Sequence, residues 1–420
     1  MKKTFAEKIL SRAAGQDVKA GDIVVVEPDF CMSHENASAV SKTFESIGVD
    51  RVWNPDKIVV VFDHTVPPST EAYALSQKVT REFTRRQGIR NFYDLNCCGG
   101  ICHQIMCQEG YAVPGAVIVG TDSHTCTEGA LGAFSTGIGR SEMAAVWATG
   151  EIWLSVPESI KIYVDGHFPR GVYAKDLILR IIGDIGADGA NYKSVEFHGP
   201  AIHDMSISER MTLCNMGIEM GAKNAVCPPD EKVFAHVEGK AKLTGREPVW
   251  ADEGAVYCRE LHYHLDDLVP CVAKPHTVDN YAPVTQVAGQ KIDQAFLGTC
   301  TNARIEDLRV AATILKDRHV AVRTIVIPAS VEVYRKAMAE GLVDIFLAAG
   351  CTLGHPGCGP CIGVAGGVLA ENETVISTAN RNFKGRNGAR SSYIYLASPA
   401  TVAYSALQGV ISDPRDAENL

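Results

Sequence analysis

The sequence places three cysteines in two short loops, Gly298-Thr299-Cys300-Thr301-Asn302 and His355-Pro356-Gly357-Cys358-Gly359-Pro360-Cys361. Each loop follows an apolar stretch and is rich in Gly, Pro or Thr, so its backbone can curl and present thiolates on one side. A Cys-x-x-Cys pair and one remote cysteine provide three soft ligands. A structural zinc ion takes four protein ligands, whereas an iron–sulfur cluster held by three leaves one iron open. The count therefore favours a cluster.

Two other interpretations of these cysteines stay open. The Cys-Gly-Pro-Cys sequence at 358–361 is also that of a thioredoxin-type redox pair. That interpretation requires a small domain with the motif near its N-terminus, whereas here the motif lies late in a 420-residue chain. The second alternative is a structural zinc site, which would use Cys300, Cys358 and Cys361 with His355 or Cys351 as the fourth ligand.

A second group of cysteines comprises Cys97, Cys98, Cys102 and Cys107. Their spacing matches no metal-ligand pattern, so ordinary buried or half-buried thiols are the simpler interpretation. The chain has 14 cysteines, which is too dilute for a disulfide scaffold of this size. We therefore expect a reducing compartment and a cytoplasmic location.

Composition predicts a globular enzyme and excludes several partners. The chain is long enough for about two to four domains. Its net charge is −9 and no basic block stands out, which argues against nucleic acid or an anionic membrane as a partner. The first 12 residues lack the apolar core of a secretory signal, and no run approaches the ~18 apolar residues needed to span a bilayer.

The order of apolar and polar segments predicts an α/β fold. Lys57 to Phe62 is a continuous apolar strand that ends in Asp63-His64, and Ala116 to Val119 is a strand followed by Gly120-Thr121-Asp122-Ser123-His124. In parallel sheets ligands bind at the carboxyl ends of the strands. We therefore expect these polar residues to meet at one site.

Breaks in the pattern divide the chain into three α/β domains. The predicted domains are 1–157, carrying the two Asp/His segments, 158–283, carrying Glu196, and 284–420, carrying the loop cysteines and two arginines. Residues 129–139 are predicted to form a glycine-rich loop, and residues 227–285 to be polar connecting structure. A helix is predicted over 209–220, with Ser208 as its N-cap and Gly221 just after its end.

Histidines and carboxylates recur in positions that suit proton transfer. They are Asp63, His64, His103, Asp122 and His124. A carboxylate behind an imidazole fixes its tautomer and raises its basicity. Glu196 could supply another such carboxylate.

The segment Asn380-Arg381-Asn382-Phe383-Lys384-Gly385-Arg386 places two arginines five residues apart, just after a predicted strand. Their guanidinium groups suit bidentate binding of carboxylates, although a solvated basic turn is the alternative. Gly137-Ile138-Gly139 is a poor dinucleotide fingerprint, because no third glycine follows at the required offset.

Taken together, these motifs resemble the aconitase family, and most closely the large subunits of its two-subunit members: isopropylmalate dehydratase, homoaconitase and the dimethylmalate dehydratase type. The resemblance runs from Thr4 almost to the C-terminus. It rests on Asp-His at 63–64, Cys-His-Gln at 102–104, Gly-Thr-Asp-Ser-His-Thr at 120–125, Gly-Thr-Cys-Thr-Asn at 298–302, Pro-Gly-Cys-Gly-Pro-Cys at 356–361 and Asn-Arg-Asn-Phe-Lys-Gly-Arg at 380–386.

The resemblance implies a specific set of roles. Cys300, Cys358 and Cys361 would hold one 4Fe–4S cluster that has one iron without a protein ligand. His64, oriented by Asp63, would handle the leaving hydroxyl, while His103 would pair with Asp122 and His124 with Glu196. The implied contacts to substrate carboxylates or the cluster surround are Ser123, Asn380, Arg381 and Arg386, and His34 occupies a substrate-adjacent position.

The resemblance also implies the fold and the partner: three domains of the aconitase type around a central cluster site. The fourth domain of single-chain aconitases is absent, so a separate small subunit, the swivelling domain, would complete the active site. The implied reaction is dehydration and rehydration of a hydroxy diacid, with isopropylmalate as first choice. The competing classes are an RNA-binding protein on the same fold and a zinc-stabilised structural subunit.

Overall fold

The computed structural model describes residues 2–95 and 98–420. The α-helices are α1 Phe5–Ala14, α2 Ala37–Ile47, α3 Glu71–Gln87, α4 Cys102–Gln108, α5 Arg140–Thr149, α6 Ala174–Ile185, α7 Pro200–Asp204, α8 Ile207–Asn215, α9 Glu231–Val237, α10 Ile305–Leu315, α11 Val331–Ala339, α12 Leu342–Ala348 and α13 Pro399–Gln408. Within the described ranges, no helix is both long and apolar enough to cross a membrane.

The strands alternate with these helices along the chain. They are β1 Ile23–Val26, β2 Phe30–Ser33, β3 Ile58–Val61, β4 Asn91–Tyr93, β5 Val117–Gly120, β6 Phe134–Gly137, β7 Ile152–Ser155, β8 Ser159–Asp165, β9 Ser194–His198, β10 Asn224–Val226, β11 Arg259–His264, β12 Cys271–Ala273, β13 Tyr281–Pro283, β14 Gln294–Leu297, β15 Arg323–Val326, β16 Thr352–Leu353, β17 Thr374–Ser377 and β18 Tyr393–Ala397. The predicted α/β class is confirmed.

The first sheet is parallel, with strand order β4-β3-β2-β5-β6. Strands β3 and β5 are buried along their whole length, as their uninterrupted Val and Ile residues predict for a parallel sheet covered on both faces. Strands β1 and β7 form a separate antiparallel ribbon. Since parallel strands end at the same edge, the polar residues that follow β3 and β5 lie close together.

Two further sheets complete the fold. The second is parallel with order β10-β9-β8-β11. The third has order β13-β12-β18-β17-β14-β15-β16, in which β12 runs antiparallel to both of its neighbours and the remaining pairs are parallel. One hydrophobic core reaches all three sheets, from Val59 in the first through Ile162 in the second to Phe296 in the third.

The second half of the second domain differs from expectation. Residues 227–285 were expected to connect domains, but they contain α9 and three strands. Strand β11 is mostly exposed and carries Arg, Glu and His, which is the composition of a protected sheet edge and conceals it from hydrophobic patterning. Strands β12 and β13 belong to the third sheet, so the chain enters that sheet before residue 283. The domain limits at 157 and 283 stay predictions.

Two local expectations were also wrong. The predicted loop 129–139 contains β6, whose small residues Ser135, Thr136 and Gly137 hide its strand character. Helix α8 begins after Ser206, not Ser208: Ser206 accepts a hydrogen bond from the backbone N–H of Glu209, whose carboxylate accepts one from the N–H of Ser206. This reciprocal capping box outcompetes a cap two residues later. The predicted left-handed Gly221 is confirmed (φ 87°).

Candidate active site

The residues predicted to act together follow the carboxyl ends of four strands. Asp63 and His64 follow β3, Asp122 follows β5, Cys300 follows β14 and Asn380 follows β17. The loops after β3 and β5 come from the first sheet, whereas those after β14 and β17 come from the third. The site therefore lies where the strand ends of two sheets face each other, which is the usual position of a site in α/β proteins.

A small cavity lies between these loops. All three predicted cysteine ligands line it. The other lining residues are Asp63, His64, Ile101, Cys102, His103, Asp122, His124, Ile362, Asn380 and Arg386. Three predicted site residues lie outside this lining. Ser123 borders a separate depression, and His34 stacks on the lining residue His64. Arg381 binds Glu219, which in turn binds the lining residue His124.

Local backbone geometry turns the cysteines toward the cavity. Thr299 adopts φ 78°, a rare conformation for a β-branched residue, directly before Cys300. Gly359 between the paired cysteines adopts φ 55°, and a Cβ atom there would lie 2.2 Å from Cδ1 of Ile327. The second loop therefore needs glycine at this position.

The sulfur atoms receive hydrogen bonds from the residues around them. Asn380 Nδ2 lies 3.3 Å from Cys300 Sγ, and Arg386 Nη2 lies 3.5 Å from Cys361 Sγ. Cys358 Sγ is 4.0 Å from Nδ1 of His64. N–H groups directed at sulfur stabilise its thiolate, the form that binds metal. Because the same side chains carry buried atoms without partners, Asn380 Oδ1 and Arg386 Nε, the polar lining is incomplete by itself.

This donor set fits a cluster better than zinc. The fourth zinc ligands considered, His355 and Cys351, do not line the cavity. Cys351 packs in the core of the third sheet, and His355 Nδ1 lies 2.9 Å from the carbonyl oxygen of Pro356. Cys102 also lines the cavity, where burial and the nearby Asp63 and Asp122 carboxylates raise the pKa of its thiol well above the usual range. Burial raises the pKa of the Cys300 and Cys358 thiols as well. What favours Cys300, Cys358 and Cys361 as the ligands is that their sulfurs face the Asn380 amide, the His64 ring and the Arg386 guanidinium.

Asp63 and His64 form a tight pair on one wall. His64 Nδ1 lies 2.5 Å from Asp63 Oδ1, and the second Asp63 oxygen accepts from the backbone N–H of Cys102 at 2.8 Å. Burial would raise the pKa of Asp63, but the charge and hydrogen bond of His64 lower it to about 2. Burial likewise opposes the charged imidazole, yet Asp63 and Cys358 raise the pKa of His64 well above its usual value. His34 stacks on His64 with ring centroids 4.0 Å apart.

A chain of carboxylates and imidazoles forms the opposite wall. His103 Nε2 lies 3.0 Å from Asp122 Oδ1, as expected, and its Nδ1 lies 3.1 Å from Glu128 Oε1. His124 Nε2 lies 2.7 Å from Glu219 Oε1, which also accepts from Arg381 Nε at 2.9 Å. Burial opposes the charge on each of these groups. Their pairing with one another compensates for the water that they lose on burial.

The expected pairing of His124 with Glu196 is wrong, because Glu219 occupies that position. Glu196 is fully buried in β9, away from the cavity. Its carboxylate accepts from the backbone N–H of Phe5 at 2.9 Å and from the hydroxyl of Tyr257 at 2.9 Å. It therefore ties the first turn of α1 to the second sheet.

Replacing Glu196 by alanine should destabilise the chain and leave its chemistry intact. The change leaves the Phe5 N–H without its acceptor and removes one of the two partners of the Tyr257 hydroxyl, which costs about 1–3 kcal/mol. We expect a lower denaturation midpoint together with unchanged kcat in the assembled enzyme. Glu196→Gln is the control, since its carbonyl oxygen still accepts from one partner. Lost kcat at wild-type stability would return Glu196 to the active site.

Sequence reasoning missed Glu128, Glu219 and Glu35. Glu35 accepts from the backbone N–H groups of His64 and Thr65 and so holds the loop that follows β3. Glu128 lies four residues after His124, a spacing that could have been noticed. Glu219 lies near the end of the predicted helix 209–220 and had no signal. Of the second cysteine group, Cys102 and Cys107 are buried as expected, whereas Cys98 is exposed, contrary to the expectation. Cys97 lies outside the described residues.

The three larger sheets, with their helices, surround a cavity lined by Cys300, Cys358 and Cys361. This arrangement defines an α/β protein with a candidate metal centre. The profile of the Aconitase family (aconitate hydratase) matches residues 7–291 and 283–409. The 3-isopropylmalate dehydratase large subunit 1 of Methanopyrus kandleri is 52% identical over 418 residues, covering 99% of both chains. A probable methanogen homoaconitase large subunit of Methanosarcina mazei is 51% identical over 393 residues, covering 93% of this chain and 100% of that one.

Among solved structures, the holo-form of Thermococcus kodakaraensis aconitase X shares the fold. It covers 89% of this chain and 88% of its own, with a TM-score of 0.52 and 11% sequence identity. The family match and the two relatives show that the chain belongs to the aconitase family.

Proposed function

We propose that the chain is the large subunit of an iron–sulfur hydro-lyase that dehydrates and rehydrates a hydroxy diacid, with 3-isopropylmalate as the substrate. The observation that carries the proposal is the cavity that places three buried thiols beside the Asp63–His64 pair and Arg386. The name of the Methanopyrus kandleri relative supports the substrate. The name of the Methanosarcina mazei relative favours homoaconitase as the second candidate.

Cys300, Cys358 and Cys361 would hold one 4Fe–4S cluster. Their burial, their shared cavity and the N–H donors on two of the sulfurs support this assignment. When bound, such a cluster with one open iron supplies a Lewis acid for a hydroxyl and a carboxylate of the substrate. The unpartnered Asn380 and Arg386 atoms lie on the side chains that would face it.

His64 is the proposed general acid. Asp63 holds its Nδ1 at 2.5 Å, so the proton on Nε2 is the one available to a departing hydroxyl. Its raised pKa means that the imidazole carries this proton at neutral pH. Nε2 lies 3.3 Å from Asp122 Oδ2, a carboxylate that would keep the imidazole oriented between turnovers.

The two arginines are the proposed carboxylate-binding groups. Arg386 lines the cavity, and Glu219 holds Arg381 in a fixed orientation by two contacts of 2.9 and 3.2 Å. Removing a proton next to a carboxylate builds up negative charge, which guanidinium groups stabilise. Ile101 and Ile362 line the same cavity and limit the access of water.

The proposed base that removes the proton comes from a separate small subunit, the swivelling domain. Relatives over nearly the full length of this chain carry the words "large subunit" in their names, which supports a second chain. A net charge of −9 argues against nucleic acid or a membrane surface as another partner. We propose a cytoplasmic location, because unpaired thiols persist in reducing compartments.

Anaerobic purification with iron, sulfide and zinc analysis tests the proposal. We expect about four irons and four sulfides per chain and a brown protein. Mixing with the cognate small subunit should then give turnover of 3-isopropylmalate, and homoaconitate is the comparison substrate. A colourless protein with one zinc, never exposed to oxygen, would refute the cluster. Turnover of homoaconitate alone would select the second candidate.

A further inference from the structure

Lys175 is a lysine with no solvent exposure in α6. Its Nζ donates to the backbone carbonyl oxygens of Thr378 at 2.8 Å and Ala379 at 2.7 Å. Lysine is almost never fully buried, because desolvating an ammonium group costs several kcal/mol unless other groups compensate. If the side chain only filled space, an apolar residue could do so without this desolvation cost. The two hydrogen bonds therefore indicate a specific purpose for the lysine.

The two carbonyls need a donor because the strand ends before them. β17 stops at Ser377, and Thr378 and Ala379 are fully buried as the chain leaves the sheet. A buried carbonyl without a partner is costly, and one ammonium satisfies both. Helix α6 follows a strand of the second sheet, whereas β17 belongs to the third. The lysine thus fixes a loop of one sheet from a helix attached to another.

The loop held in this way carries two residues of the candidate site. Asn380 directly follows the second carbonyl and donates to Cys300 Sγ at 3.3 Å and to Thr301 Oγ1 at 3.0 Å. Arg381 comes next and donates to Glu219 at 2.9 Å. A displacement of the carbonyls would shift both donors together, and misplacement by about 1 Å is enough to reduce catalysis about a hundredfold.

The charges around Lys175 agree with this placement. Burial lowers its pKa to about 7, while Asp307, Cys300, Asp176 and Glu219 favour the charged form. Two of these groups, Cys300 and Glu219, are themselves contacts of the loop. When protonated, the Lys175 amine places positive charge behind a cavity that would hold an anionic thiolate site.

We propose that Lys175 is a positioning residue, which locks residues 378–381 so that Asn380 reaches the Cys300 sulfur and Arg381 reaches Glu219. The inference rests on the proposed function, because it assigns Lys175 to the retention of the proposed cluster and to the orientation of its substrate-binding arginine. It adds a residue of α6 to a site that is otherwise built from the loops at the strand ends and the side chains packed against those loops.

Lys175→Met tests the proposal, and the chain offers a control with the same contact pattern. Lys232 is exposed, but its Nζ also donates to consecutive backbone carbonyls, those of His203 at 2.7 Å and Asp204 at 2.5 Å, away from the cavity. Both full-length variants are reconstituted anaerobically with iron and sulfide. Iron release to a chelator and the EPR spectrum of the reduced protein are then measured. We expect Lys175→Met to lose iron at least about tenfold faster with an altered spectrum, and Lys232→Met to match the unmodified chain.

Each other outcome has a defined meaning. A folded Lys175→Met chain with unchanged release and spectrum overturns the inference. If that variant does not fold, Lys175→Gln replaces it, because its amide donates to one carbonyl without charge; faster release supports the inference and unchanged release overturns it. Failure of both to fold would assign Lys175 to stability alone and also overturn it. An unmodified chain that binds no iron would instead refute the proposed function.

Discussion

Replacing Cys358 by serine is expected to abolish hydro-lyase activity while the chain stays folded. Its Sγ is one of the three proposed cluster ligands in the cavity, and a cluster held by two thiolates is not retained, since hard serine oxygen is a poor substitute for soft sulfur. Iron analysis after anaerobic reconstitution should show most of the iron lost. Circular dichroism and a thermal scan should show little change, because the side chains are of similar size.

Cys351→Ser is the matched control for this prediction. Cys351 is equally buried and lies only seven residues earlier, but it packs in the core of the third sheet. We expect this variant to retain its iron and its activity with a modest loss of stability. A Cys358→Ser protein without iron that remains fully active would refute the proposed role of the cluster in the reaction.

The cysteine loops could be predicted from sequence because their chemistry is local. A Cys-x-x-Cys pair with glycine between the cysteines constrains its own backbone, and the structure shows Gly359 in the required left-handed conformation. The Asp-His motifs could be found for the same reason: Asp63 and His64 are adjacent in the chain and their strand is fully apolar. Local pattern therefore predicts the groups on each wall of the cavity, and the order of strands and helices predicts the fold class.

The partners of those groups depend on contacts between distant segments and could not be predicted. Glu219 and His124 are 95 residues apart in the chain, and Glu219 and Arg381 are 162 residues apart. The family resemblance implied that Glu196 pairs with His124, yet its carboxylate binds the backbone N–H of Phe5 at the start of the chain. Nothing in the local sequence distinguishes the two glutamates, since only the packing of the sheets decides which carboxylate reaches His124.

Exchange of His64 for glutamine is expected to reduce kcat by about 10²–10⁴-fold and to leave the iron content unchanged. Glutamine fills much of the same space but carries no transferable proton at neutral pH. The measurement is kcat of the reconstituted complex with its small subunit, alongside iron per chain. This result would separate proton transfer from cluster binding, because Cys358→Ser removes both iron and activity, whereas His64→Gln should remove activity alone.

His203→Gln controls for the loss of a histidine–carboxylate pair as such. His203 Nδ1 lies 3.2 Å from Asp230 Oδ2 on the surface of the second domain, so its loss should leave kcat unchanged. Because Cys358 Sγ is 4.0 Å from His64 Nδ1, the alternative role for the His64 ring is to hold the proposed cluster rather than to act on substrate. A His64→Gln protein that loses its iron would establish that structural role. Retained iron with lost turnover assigns the ring to the chemistry, with Asp63 as the group that orients it.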